Sequence, residues 1–486
     1  MNTYSYPNMP PAPDTVNQRR WNHTGLRRRI MQGVWEQDLE ESLLQHLSSD
    51  RRAAWGVADM SSNTLEQVTR QLAMLYQEQP TITHKENIEP LIERDGYLLK
   101  AGLFPLMQRV QQYAIALREV ILKIDVINGK PNQPKQEKGF QFRIVTPDFV
   151  YCESHPDAPD IPVYYREYRL RYDADTDDYK WIADVFDIRT GRESEFALYE
   201  INTDGSLGLE VTEKYTGNPK QSGDDYPYRS SAGIPFLPIQ IYRAEKTGEL
   251  WNSFDSSSLT YGTLTSAVLF SFYLHLVRDA CWSQKYVAGL HLAGMNQLDQ
   301  DLVSRRAAIT TDPSSILVFT PDPDINTQPL IGTFEPSADP EKLLESVAKY
   351  EYRVATAAGI SSEVLRQSGD PRSGYALSIS REGQREAQRK YAPLYRSLDE
   401  SMLSKVAMMA NIYFGDRLPE SGYRVQYQQL RLSPEEMKAI REDCIAKLNA
   451  GLISPVDAIM LLNPDLDELE AKNELIRIRR ERAEFG

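Results

Sequence analysis

The spacing of apolar positions changes along the chain from a helical period to the alternation typical of strands. Over about 34–125, apolar residues recur at every third or fourth position, as in Leu65, Val68 and Leu72. This spacing predicts amphipathic helices. From about residue 140 apolar and polar residues alternate, first over 140–144, and this period of two predicts strands.

A β hairpin with an acidic turn is predicted next. Alternating residues at 168–172 and at 181–185 flank a turn at 173–178 that contains four aspartates. The turn resembles a calcium-binding loop, but Asp178 stands where such a loop needs glycine. The pattern therefore favours an ordinary hairpin tip.

Four further strands are predicted from short apolar runs. Two of them, at 196–201 and 234–242, are separated by a long loop at 203–232 that is rich in turn-forming residues. The other two, at 316–319 and 330–334, lie in an insert rich in proline and aspartate.

Three long helices are predicted around this insert, at about 257–284, 340–358 and 375–414. In the second, the apolar residues follow a 4-3-4-3 spacing, which is typical of a seam that packs against a neighbouring helix. Those residues are Leu343, Val347, Tyr350, Val354 and Ala357. Pro393 is expected to kink the third helix.

The C-terminal region predicts a small helical array. Pro434 and Pro455 each follow a serine and stand where a helix begins, and Gly451 ends the first helix. A charged helix then runs to about residue 483. Its arginines, which either complement the helix dipole or bind phosphate, are Arg477, Arg479, Arg480 and Arg482.

Charge limits the partners that this chain can have. Its 486 residues include 55 Lys and Arg against 69 Asp and Glu, which gives a net charge of −14. A protein that coats nucleic acid with its whole surface needs a basic face, so that class is excluded. One basic cluster stands out and fits either a patch for an acidic partner or a solvated helix start. It consists of Arg19, Arg20, Arg27, Arg28 and Arg29.

Familiar catalytic and metal-binding motifs are absent from the sequence. The cysteines Cys152, Cys281 and Cys444 lie far apart, no two histidines have metal spacing, and no P-loop or GxSxG motif occurs. We therefore expect no enzyme, metal or cofactor, although an enzyme with an unfamiliar site stays open. The uncharged stretch 259–277 contains several Ser and Thr residues, so we expect a buried or interfacial helix and no membrane contact.

The segment 259–415 resembles the portal proteins of tailed bacteriophages. An uncharged helix leads into a small β insert, and the returning helix ends in the sequence AAGISS at 357–362. A loop with SGDPRSGYAL at 368–377 follows, and a long charged helix then carries SREG at 380–383. The order of these segments is similar to that of the family.

The resemblance implies an α+β, mostly helical subunit that assembles into a ring. The implied regions are a basic, partly disordered arm at 1–29, a wing of helices and then a β meander at 30–256, a stem helix at 257–285, a clip at 286–338, a second stem helix at 339–359, a tunnel loop at 360–374, a long wing helix at 375–415 and a crown at 416–486.

The resemblance also implies roles for individual residues. The tunnel-loop residues that would face DNA are Arg366, Gln367, Arg372 and Ser373. The loop hinges would be Gly359, Gly369 and Gly374. The stem would pack through Leu264, Val268, Phe272, Leu343, Val347, Tyr350 and Val354.

The implied function is that of a portal, a ring of about twelve copies at one capsid vertex. It would conduct double-stranded DNA during packaging and ejection and bind terminase, head-completion or adaptor proteins, tail proteins, and the major capsid and scaffolding proteins. It would assemble in the host cytoplasm and reside in the virion. The alternatives are another virion ring or adaptor protein without DNA contact, or the enzyme above.

Overall fold

The structure is a computed structural model, and the protein is an α+β protein, as the sequence predicts. The described residues are 10–45, 59–93, 96–127, 139–173, 175–191, 193–251, 258–281, 284–288, 290–292, 319–321, 330–334, 339–358, 374–428, 434–462 and 468–485.

The described helices and strands follow one another in this order. The helices are α1 (Thr15–Gln32), α2 (Glu36–Leu44), α3 (Thr64–Leu72), α4 (Glu89–Ile92), α5 (Tyr97–Lys100), α6 (Leu103–Leu117), α7 (Thr212–Thr216), α8 (Ser258–Cys281), α9 (Pro340–Ala357), α10 (Gly374–Phe414), α11 (Pro434–Asn449), α12 (Pro455–Leu462) and α13 (Glu468–Phe485). The strands are β1 (Thr81–Thr83), β2 (Glu119–Ile127), β3 (Gly139–Val145), β4 (Val150–His155), β5 (Ala158–Asp173), β6 (Asp178–Asp187), β7 (Glu195–Ile201), β8 (Leu207–Glu210), β9 (Gln221–Ser222), β10 (Ile239–Arg243), β11 (Gln284–Ala288), β12 (Leu290–Leu292), β13 (Phe319–Pro321), β14 (Leu330–Phe334) and β15 (Arg424–Gln426).

The chain folds into two compact units, each made of separate stretches of sequence. The first unit combines Met1–Gly25, Val68–Phe254 and Gly359–Gly486, and the second combines Leu26–Gln67 and Asp255–Ala358. The backbone therefore passes between the units four times.

Among its described residues the first unit contains three antiparallel sheets: β1 pairs with β15, and the two larger sheets share a core. One sheet has the order β4-β5-β6-β7-β8, with β9 also on β7, and the other has the order β10-β2-β3. Their core includes Ile121 and Ile239 from the smaller sheet and Val150, Tyr165 and Phe186 from the larger one. Burying such apolar and aromatic side chains stabilises the unit because their surface leaves water.

The predicted acidic hairpin is present. Strands β5 and β6 pair antiparallel, with Asp173 opposite Asp178. Asp177 in the turn has a φ of 53°, the left-handed conformation that Asp adopts more readily than most residues. The turn therefore acts as a hairpin tip.

The helical prediction over 34–125 is wrong at strand β1 (Thr81–Thr83) and again from Glu119, where strand β2 begins. Val120, Ile121, Leu122 and Ile124 in this strand are all fully buried. A strand that is buried on both faces does not alternate apolar and polar residues. Its continuous apolar run is therefore equally consistent with a buried helix.

Two neighbouring predictions in the first unit also need correction. The stretch expected to be one loop at 203–232 contains β8, α7 and β9. The strand expected from residue 234 begins only at Ile239. Pro235 and Pro238 explain the delay, because proline has no N–H to donate to a sheet.

The whole basic cluster, residues 19–29, lies in α1. The prediction that it is a solvated helix start is wrong for two of its five arginines. Arg20 is 1% exposed and Arg27 is also buried. Arg20 donates to the carbonyls of Pro147 (3.0 Å) and Val150 (2.6 Å), and burial lowers its pKa to about 10. Arg20 is therefore part of the core of the first unit.

The second unit contains α8 and α9, together with two short strand pairs from the insert. The helices predicted at 257–284 and 340–358 extend over Ser258–Cys281 and Pro340–Ala357. Asp339 caps α9 by accepting from the N–H of Glu341 at 3.0 Å. Strand β11 pairs with β14, the strand predicted at 330–334, and β12 pairs with β13. The other predicted strand lies outside the described residues except for Phe319.

The helices after residue 374 agree closely with the prediction. Helix α10 runs through Pro393, and Gly415, with a φ of 75°, follows its last residue. Helices α11 and α12 begin at the predicted residues Pro434 and Pro455. Local stop and start signals explain this agreement, since they do not depend on distant contacts.

Candidate functional site: the paired helices α8 and α9

The paired helices are in close contact where Gly262 of α8 faces Val354 of α9. A Cβ atom added to Gly262 of α8 would lie 2.7 Å from both Cγ atoms of Val354 on α9. No real Cβ contact is that short, so only glycine allows the helices to approach to this distance. Val354 itself is buried.

The residues that the sequence assigned to stem packing lie at different depths. Leu264 and Val268 of α8 are buried, as are Val347 and Val354 of α9. The remaining three are half-buried, and they are Phe272, Leu343 and Tyr350. The predicted apolar seam of α9 is therefore buried at two of its five positions, and its last residue, Ala357, is exposed.

A row of hydroxyl groups lies along the buried side of α8. Ser266 donates to the Glu351 carboxylate on α9 at 2.6 Å, and Ser62 also donates to it. Thr263 accepts the backbone N–H of Leu65 at 3.0 Å. Buried polar groups are stable only when they have such partners.

The same hydroxyl row holds a segment from an earlier part of the chain. Ser271 accepts the N–H of Asp59 at 3.3 Å and donates to the carbonyl of Ala267 at 2.8 Å. From the sequence, these Ser and Thr residues indicate only that the helix does not cross a membrane. Their spacing at 260, 263 and 266 also places them on one helix face, and this spacing is the sequence signal for the hydroxyl row.

Both helices also expose large apolar side chains to solvent. On α8, Tyr261 is 51% exposed and Leu274 is also exposed. On α9, Leu344 and Tyr352 are exposed. We call these four residues the outer apolar patch. Exposed apolar side chains are typical of protein–protein interfaces when they form a contiguous surface.

The predicted DNA-facing residues Arg366, Gln367, Arg372 and Ser373 lie outside the described residues, as do the hinges Gly359 and Gly369. Gly374 is the first residue of α10.

A buried carboxyl group of the first unit has a raised pKa and lies elsewhere, in a cage of tyrosines. Asp399 on α10 is buried and accepts hydrogen bonds from Tyr76 (2.8 Å), Tyr242 (2.8 Å) and Tyr427 (2.7 Å). Burial raises its pKa to about 6, although the three hydroxyls oppose that shift. The adjoining cavity has a volume of about 10 Å³, which is room for one water molecule. A substrate would not fit there, so the arrangement favours a structural role.

Buried charges between the two sheets of the first unit are also paired. Lys123 lies 3.0 Å from the Glu167 carboxylate, which Arg143 and Arg169 also contact. Burial alone would raise the pKa of Glu167, but the charges of these cations hold it well below its ordinary value. These cations neutralise the buried carboxylate, so the loss of one of them would leave a buried charge with fewer partners.

Neither a metal-binding cluster nor a membrane-spanning helix occurs in the described part of the chain. No group of three or more His, Cys, Asp or Glu residues there could hold a metal ion. None of the helices in that part has the length and apolar character needed to cross a membrane.

Comparisons with known proteins give matches only among solved structures. No protein-family model matches the chain, and no curated protein does. One similar structure is the neck of an empty GTA particle computed with C6 symmetry, with a TM-score of 0.38 and 14% identity over 82% of this chain and 88% of that chain. Another is the neck of a native GTA particle computed with C12 symmetry, with a TM-score of 0.36 and 13% identity over the same shares. At these scores neither structure assigns a function to this chain.

Proposed function

We propose that this protein is a portal-like subunit that assembles into a ring of about twelve copies at the head-to-tail junction of a phage-like particle. The observation that carries the proposal is the outer apolar patch on α8 and α9. Each copy would bury this patch against a different surface of the next copy. A contact of that heterologous kind closes into a ring when its rotation fits.

The composition of the chain supports a conduit for DNA. A net charge of −14 disfavours tight phosphate binding, and weak binding lets DNA pass without being held. Arg366 and Arg372 would touch the DNA backbone from the tunnel loop without reading bases. The ring would have no enzymatic activity of its own, and a separate ATPase, the terminase, would supply the energy. Adaptor, tail, capsid and scaffolding proteins would bind its other surfaces.

Solution mass tests the ring directly. We expect light scattering to give a mass near twelve times 55.5 kDa, and negative-stain images of the same peak to show a ring with a central hole. A compact dimer or tetramer without a channel would contradict the proposal.

A paired substitution tests the patch that carries the proposal. Tyr261→Glu with Leu274→Glu places two charges on the outer apolar patch, so we expect the ring fraction to fall at least tenfold. Leu209→Glu is the matched control, because Leu209 is 69% exposed on strand β8. Equal ring yields from the two variants would show that α8 is not part of the interface between copies.

The DNA-facing role needs a separate experiment, since a ring adaptor without DNA contact would also pass the tests above. Deleting 361–374 should leave the ring intact and impair packaging or retention of DNA. A photocrosslinker at position 372 should label DNA in filled particles. Normal packaging without the loop, or no crosslink, would favour the adaptor.

A further inference from the structure

The β5–β6 hairpin extends beyond the rest of the larger sheet. Its two strands stay paired as far as Asp173 opposite Asp178. By contrast, β4 pairs with β5 only as far as Glu167, and β7 pairs with β6 only as far as Ile182. Within the described part of the chain, the end of the hairpin therefore has no further strand beside it. An isolated two-stranded hairpin is marginally stable in water, so this end depends on contacts to its two faces.

One face of the hairpin end is charged and covered. Asp173 is buried and lies 2.6 Å from Lys214 of α7 and 3.0 Å from Lys180. On the same face, the guanidinium of Arg171 lies 5.4 Å from the ring centroid of Tyr215, which also belongs to α7. Successive side chains of a strand point to opposite faces, so the residues between these belong to the other face.

The other face of the hairpin end is apolar and exposed. Tyr172 is 51% exposed and Tyr179 is 62% exposed. They stand opposite each other in the strand pairing, with ring centroids 5.5 Å apart. Leu170, also exposed, is next on this face and stands opposite Trp181, which is half-buried and stacks on Phe149. We call Leu170, Tyr172, Tyr179 and Trp181 the hairpin aromatic face. A contiguous apolar surface of this kind is typical of a binding site for another protein.

The charges of the turn indicate which partner fits. Asp177 and Asp178 are exposed beside the two tyrosines. Asp177 accepts the hydroxyl of Tyr172 at 2.5 Å, and Asp178 accepts the backbone N–H of Tyr179 at 2.7 Å. Neither carboxylate has a salt bridge to a residue that the structure describes, so both can pair with cations of a partner.

A cationic side chain suits both parts of this surface. Lys and Arg are attracted to the face of a tyrosine ring, and their aliphatic stems lie well on apolar surface while their charged ends reach polar groups. The phosphates of a nucleic acid would instead be repelled by the carboxylates of the turn.

We propose that the hairpin aromatic face binds an extended, basic segment of a partner protein. Arg or Lys side chains of that segment lie on the rings of Tyr172 and Tyr179, with their charges toward Asp177 and Asp178. This contact goes beyond the proposed ring and uses no residue of the outer apolar patch. Either can therefore fail without the other.

Peptide binding to the full-length protein tests the aromatic part. The probe is a short, fluorescently labelled peptide of alternating Arg and Ala, and anisotropy measures its affinity. We expect saturable binding that weakens as salt is added, and no binding of the same peptide with Glu in place of Arg. Tyr172→Leu with Tyr179→Leu keeps apolar side chains but removes both rings, so affinity should fall at least fivefold. Tyr172→Phe with Tyr179→Phe keeps the rings and should bind within about twofold of the wild type.

Two pairs of charge substitutions test the acidic part. Asp177→Asn with Asp178→Asn should lower the affinity at least threefold. Asp224→Asn with Asp225→Asn removes the same charge at another exposed site and should leave the affinity unchanged. Equal losses from the two pairs would show attraction to the net charge of the whole chain and would overturn the proposal. Wild-type affinity in the double Leu variant, or no binding to the wild type, would also overturn it. The ring is tested separately by the solution mass.

Discussion

At the scale of single residues, Asp399 should make stability depend on pH in an unusual direction. Its pKa is raised to about 6, whereas an unfolded Asp has a pKa of about 3.9. A raised carboxyl pKa means that the folded state binds the proton more tightly. The stability that this provides is complete below about pH 4 and is lost as the pH rises through about 6.

Asp399→Asn should therefore flatten the pH dependence of unfolding. We expect the wild type to lose roughly 1–3 kcal/mol of unfolding free energy between about pH 4.5 and 7.5 at this site, and the variant to lose none of it. Urea unfolding at both pH values measures the difference. Asp224→Asn, at an exposed position, is the control. A pH dependence that Asp399→Asn leaves unchanged would show that the carboxyl does not titrate in this range.

At the scale of elements, Gly262→Ala should weaken the pairing of α8 and α9. The added Cβ would lie 2.7 Å from both methyl groups of Val354, and overpacking of this kind costs about 1–3 kcal/mol. Alanine favours helix by about 1 kcal/mol, which offsets part of the loss. Adding Val354→Ala should make Gly262→Ala nearly harmless. Thermal unfolding of the single and double variants measures the coupling, and additive effects would contradict the contact.

The sequence predicts elements better than it predicts the contacts between them. Helices α8, α9 and α10 follow from apolar periods and from glycine and proline signals, which are local. The contact of Gly262 with Val354 joins positions 92 residues apart, and the sequence around neither residue predicts it. The residues of the tyrosine cage are even farther apart in the sequence, because Tyr76 and Asp399 are separated by 323 residues. No hydrophobic period or sequence motif predicts contacts between residues so far apart.

At the scale of the whole molecule, the assembled protein should bind duplex DNA weakly. The chain has 14 more acidic than basic residues, so few cations are available to displace counterions from the phosphates. We expect no stable complex with a linear duplex at about 0.15 M salt in a gel-shift assay at micromolar protein. Changing Arg366 and Arg372 to Gln should remove what binding remains at low salt. Nanomolar affinity that falls steeply with salt would contradict a passive conduit.

The four passages of the backbone between the two units set an order for their formation during synthesis. The second unit has all its sequence once residue 358 has left the ribosome, whereas the first unit must wait for 359–486. Strand β1 meets β15 only then, since Thr81 pairs with Gln426. Domains fold as units as they emerge, so the second unit can be complete while the larger one is still open. A nascent chain halted near residue 400 would thus carry one finished unit and one without its last strand.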